Sequence, residues 1–196
     1  MTFNKELAEK SGGSDFLQSG GAHICTITLA KCVQAKTGTH GIEFSVVTDD
    51  GAKANYLTTY YAKQDNTPIG SGQSLLNALM GFLNLQGISY TQQNINGEQC
   101  SIVPEFTSKK IGLFIDKVLR TKLDGSDSYG FNIRCPFDPQ TKQTFKEKSQ
   151  GQPAQAIDRM IESYKDKDER SKPSMAQQEQ QQKAPSGYDD LDIPFG

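Results

Sequence analysis

Tryptophan is absent from this 196-residue chain, histidine occurs only twice, and no run of apolar residues approaches the roughly 18 that a membrane span needs. Each scarcity removes a class of function. His23 and His40 are the only imidazoles, and the four cysteines, Cys25, Cys32, Cys100 and Cys135, contain no closely spaced pair, so no zinc-ligand spacing exists. No cofactor or metal is expected. No glycine-rich loop runs into a Lys-Ser/Thr pair, and no nucleophile sits in a motif with a histidine, so the chain does not read as an enzyme. Gly70-Ser71-Gly72-Gln73-Ser74 precedes a helical pattern but lacks a phosphate-binding lysine, and helix capping explains it more simply. The start, Met1 to Leu7, has no apolar signal core, which leads us to expect a soluble, cytoplasmic protein without a membrane partner. Cysteines in strand-like runs then serve as reduced packing residues.

A basic excess is also missing from the total. The 21 Lys+Arg against 23 Asp+Glu give a net charge of −2. The distribution is uneven, however. Residues 1–150 carry 15 basic and 14 acidic side chains, residues 151–196 carry 6 and 9, and within 109–148 the balance is 9 basic to 5 acidic. A slightly basic body therefore precedes an acidic end.

What is present is strand periodicity. Residues 1–21, with Gly12-Gly13 and Gly20-Gly21 around Phe16 and Leu17, read as a flexible N-terminal arm. The run His23–Val33 is rich in β-branched residues and puts Cys25, Ile27 and Leu29 on one face. Ile42, Phe44 and Val46 alternate with polar residues, and Asp50-Gly51 predicts a tight return into a third strand over 52–63. Leu75, Leu76, Leu79, Met80 and Leu83 then predict an amphipathic helix over 72–87, with Ser71 or Ser74 as N-cap and Gly87 past its end. Two further strands follow a loop, over 110–122 and 129–137. Ile157, Met160, Ile161 and Tyr164 predict a C-terminal helix within 150–170. Residues 171–187 hold the glutamine run around Gln177–Gln182 and few apolar side chains, and cannot offset the entropy of ordering.

Three strands, a helix and two strands is the element order of an OB-fold. The expectation is a mainly β protein: an OB-fold-like five-stranded barrel over 22–149, one or two helices, and a disordered linker and tip over 171–196. Barrels of this kind hold unpaired nucleic acid when aromatic faces and cations line one side. The candidates are Lys53, Tyr61 and Lys63 on one face of the third strand, Tyr56 and Tyr60 on the other, Lys117, Arg120 and Lys122 on the fourth, and Arg134 on the fifth.

The last residues, Tyr188-Asp189-Asp190-Leu191-Asp192-Ile193-Pro194-Phe195-Gly196, resemble the acidic tip of bacterial single-stranded DNA-binding proteins. Asp189, Asp190, Asp192, Ile193, Pro194 and Phe195 carry the match, and Gly196 departs from it by following the phenylalanine. The barrel-then-tail layout is most similar to phage-encoded members, for which the compartment would be the host cytoplasm. The resemblance implies a protein that binds single-stranded DNA without sequence preference during replication, recombination or repair. It also implies a tip that recruits replication or recombination proteins. Physically, Phe195 is an anchor for a pocket and the aspartates suit a basic rim. A homo-oligomer is compatible with the sequence. An adaptor of a phage recombination or replication complex that does not itself bind DNA is the alternative.

Overall fold

The computed structural model describes residues 15–170. Strands β1 (Gly21–Gln34), β2 (His40–Thr48) and β3 (Lys53–Ala62) form the expected antiparallel meander. The β2–β3 turn closes through Thr48, whose N–H donates to the Ala52 carbonyl at 2.8 Å. Alternation buries Ile42, Phe44 and Val46 on β2.

Register slips change which residues share a face. On β1 the register slips between Ile27 and Leu29, so Ala30 joins Cys25 and Ile27 in the core and Leu29 does not. On β3, Ala54 pairs with Val46 and Leu57 with Phe44, leaving one residue more on β3 than on β2. Tyr56 takes up the excess with a φ of +63°, a left-handed conformation that costs a bulky side chain energy. The slip reverses the pleat, so Lys53 falls on the same side as Thr58 and Tyr60 rather than with Tyr61.

Helix α1 (Gly70–Phe82) buries Gly72, Leu76 and Leu79 against the meander. It starts and stops earlier than the sequence pattern suggests, with Ile69 rather than a serine at the N-cap and Leu83 rather than Gly87 at its end. The segment read as a loop contains a hairpin, β4 (Thr91–Ile95) and β5 (Glu98–Ile102), attached to β1 where Ile102 pairs with Lys31. A 3-10 turn, Pro104–Phe106, then drives Phe106 into the core, edge-on to Phe44 at 5.4 Å.

Strands β6 (Lys110–Thr121) and β7 (Asp127–Phe137) form a long hairpin, and β6 pairs with the first half of β1. The five main strands therefore run β3-β2-β1-β6-β7. The expected barrel is not closed: β3 and β7 come close without forming a ladder, and the sheet is open between them. At its first residue the edge of β3 is already taken. Lys53 N–H donates to the Asp15 carbonyl at 2.7 Å and Leu17 N–H to the Lys53 carbonyl at 2.8 Å, and Leu17 is buried. The described end of the N-terminal arm is thus docked in the core, contrary to the expectation of a flexible segment through residue 21.

The opposite face of the sheet carries a second cluster, in which Phe114 and Phe137 meet Ile157, with Met160 and Tyr164 alongside. The expected helix over 150–168 is shorter. Helix α2 (Phe145–Ser149) is followed by α3 (Ala156–Glu162), and Lys167–Asp168 forms β8, a two-residue strand parallel to β6. Glu147 joins these pieces. One carboxylate oxygen accepts from the Thr144 N–H and hydroxyl at 2.8 and 2.9 Å, and the other accepts from the Gln155 and Ala156 N–H groups at 2.9 and 2.8 Å. It therefore caps two helices at once, and the backbone donor at Thr144, followed by those at Gln155 and Ala156, holds its pKa down from 4.5 to about 2. Because the folded pKa is depressed, this stabilisation is fully present above pH 4.5 and lost as pH falls towards 2. Glu147→Gln should cost about 2 kcal/mol in urea unfolding at pH 7, since its amide turns a donor towards donors. The gap from the unsubstituted protein should close as pH falls from 4.5 to 2.

Candidate nucleic-acid interface

The open seam between β3 and β7 forms a groove of about 770 Å³. One wall is β3, which contributes Lys53, Asn55, Tyr56, Thr58 and Tyr60; the other is the β6–β7 hairpin, with Arg120, Tyr129, Gly130, Phe131 and Asn132. Phe16 and Leu17 from the arm also line it.

The aromatic rings are held from below and left open above. Tyr60 lies so close to Gly41 of β2 that a β-carbon there would meet its Cδ1 at 2.9 Å, yet it is 41% exposed. Tyr129 is edge-on to Phe131 at 5.6 Å, with the Lys117 ammonium 4.6 Å from its ring centroid. Tyr56 is 75% exposed on the bulge. An uncommon backbone angle that presents a ring to solvent is the kind of local strain found at binding sites.

The structure brings together Lys53, Tyr56, Tyr60 and Arg120 of the residues expected from sequence. The others lie elsewhere. Tyr61 packs on the core beneath α1, and burial, reinforced by a hydrogen bond with Tyr90, pushes its hydroxyl up to about 12. Lys63 borders a separate shallow depression with Thr37, Thr39 and Ile69. Lys117 lies beneath the Tyr129 ring rather than lining the groove, its ammonium donating to the Gln18 carbonyl at 2.8 Å. Lys122 belongs to the β6–β7 turn, where its N–H donates to the Ser126 carbonyl. Arg134 sits on a bulge of β7, paired with Asp116 at 2.9 Å and 5.3 Å from the Phe114 ring on the sheet's other face. Asp189, Asp190, Asp192, Ile193, Pro194 and Phe195 lie outside the described residues.

Sequence reasoning missed Phe16, Tyr129, Phe131, Asn55 and Asn132 as groove residues. Tyr129 and Phe131 were legible as strand aromatics two residues apart, but nothing local says that their hairpin faces β3. The cysteines fit a packing role. Burial is the main cause that pushes the Cys25 thiol up to about 12 and that of Cys135 to about 11, and both are free. Among the described residues, no group of three or more His, Cys, Asp or Glu is arranged to hold a metal, and no helix is long and apolar enough to cross a membrane.

No protein-family model matches the chain, and no curated protein matches it in sequence.

Proposed function

We propose that this chain binds single-stranded DNA without sequence preference in the β3–β7 groove and recruits replication or recombination proteins through its acidic tip. The observation that carries the reading is the groove itself, with exposed Tyr56, Tyr60 and Tyr129 between Lys53 on one wall and Arg120 on the other. Unpaired bases gain by stacking on such rings, whereas bases in a duplex are already stacked, and the two cations suit phosphates on either side. The strand order β3-β2-β1-β6-β7 is compatible with an OB-fold barrel whose last seam has been left open. The tip's resemblance to bacterial single-stranded DNA-binding proteins supports the same reading from the other end of the chain.

Fluorescence anisotropy of labelled oligo-dT, titrated with the full chain across a salt series, tests it. The expected result is binding that unlabelled single strands compete away and duplex competes poorly. The logarithmic salt slope should be negative but shallow, no steeper than about −1.4, because two groove cations neutralise two phosphates at about 0.7 each. Absence of binding in dilute buffer would overturn the proposal, and the chain would then be better read as a protein adaptor.

A further inference from the structure

Among the described residues, both groove cations are already met by carboxylates of the same chain. Lys53 Nζ lies 3.9 Å from Asp15 Oδ2, and Arg120 Nε lies 3.7 Å from Glu169 Oε2. These pairs are long and solvent-exposed, a combination that holds weakly. Each acid, moreover, comes from a short segment laid over the body from outside the main hairpins. Asp15 belongs to the arm, whose described residues pair with β3 at Lys53, and Glu169 follows β8, whose ladder with β6 is two residues long. Glu169 makes one main-chain bond to the body, its N–H donating to the Leu119 carbonyl at 2.9 Å; its side chain also pairs with Lys167 within the strap, whose end is fastened by Arg170 to Asp127 of β7 at 3.0 Å. Behind it, Asp166 approaches Lys117 at 3.9 Å, so the strap sets two acids along the basic edge of β6.

We infer that Asp15 and Glu169 occupy the positions of two phosphates, one on each wall, and that a nucleic-acid strand binds by displacing both. The inference rests on the single-strand reading above. It specifies a ligand with at least two linked phosphates, because a lone phosphate meets one wall and leaves the other carboxylate in place. It also makes loosening of the strap part of binding. When a phosphate takes Arg120, Glu169 keeps only its pair with Lys167, inside the strap itself, and the short β8 pairing loses one of its links to β6.

The test compares the full chain with the double variant Asp15→Asn, Glu169→Gln in oligo-dT anisotropy from low to high salt. A charge-matched control, Asp158→Asn with Glu162→Gln, alters exposed acids of α3 instead. The groove variant should bind at least about 3-fold tighter at low salt, with a steeper salt slope and a gain that vanishes at high salt; the control should match the unsubstituted chain. Amide hydrogen exchange at Glu169 should also speed up when oligo-dT binds. Equal affinity of the groove variant and the unsubstituted chain, an equal gain in the control, or unchanged exchange at Glu169 would overturn the inference while leaving the single-strand reading intact. If no form binds oligo-dT, both fall together.

Discussion

Replacing Tyr60 or Tyr129 with alanine should weaken oligo-dT binding by roughly 5- to 150-fold each, because one base–aromatic stack contributes about 1–3 kcal/mol and 1.4 kcal/mol is tenfold. The neighbouring substitution Tyr61→Ala should do the opposite. Its ring packs on the core, so the variant should lose thermal stability while retaining affinity. The contrast between two adjacent tyrosines is the strength of the test. A general loss of foldedness would lower both, and a groove elsewhere would spare both. Tyr129→Ala adds a second effect, since the Lys117 ammonium loses the ring above it and one neighbour of Phe131 is removed. Anisotropy and thermal unfolding on the same samples separate affinity from stability.

Gly72→Ala should destabilise the protein by about 3 kcal/mol, lowering Tm by roughly 6–12 °C. A β-carbon at Gly72 would stand 1.9 Å from the Tyr60 carbonyl oxygen and 2.7 Å from its carbon, and would reach the Tyr61 backbone at 3.0 Å. These are main-chain atoms fixed by the ladder in which Tyr60 pairs with Gly41, so no side chain can swing aside. Helix α1 would have to lift away from β3, uncovering Leu76 and Leu79 and moving the strand that carries Tyr60. Gly70→Ala is the natural comparison, because a β-carbon there meets nothing within 4 Å. A Gly72→Ala protein as stable as Gly70→Ala would refute the close approach.

The main strands and α1 were legible because their apolar residues keep a clear period. Ile42, Phe44 and Val46 alternate, and Leu76 and Leu79 recur on a helical stripe. The hairpin β4–β5 was not, since Gln92, Gln93, Asn94, Glu98 and Gln99 give no alternation to read. Its turn did carry a signal. Asn96 and Gly97 both take positive φ, +53° and +92°, the pair of conformations for which Asn-Gly is favoured in two-residue hairpins. The groove was half legible. Lys53, Tyr56, Tyr60 and Arg120 were identified by residue type and position, but an added residue in β3 inverted the assignment of faces, and a bulge costs the sequence no visible motif. Tyr129 and Phe131 enter the site through a contact between β3 and β7, some seventy residues apart. The C-terminal helix was overextended because Ile157, Met160 and Tyr164 do share a surface, from which Ile161 turns away, but Tyr164 reaches it from beyond the end of α3, with its hydroxyl accepting the Lys117 N–H at 2.9 Å.

The unlaced edge between β3 and β7 gives the molecule a compliant joint. Elsewhere in the sheet, parting two strands means breaking a row of amide–carbonyl links together. Along this line only side chains meet, so the walls can spread or tighten by small rotamer changes while the rest of the architecture stays fixed. On the single-strand reading proposed above, wide purines and narrower pyrimidines would then be accommodated by the same rings, which is the mechanical requirement of a site that must not read sequence.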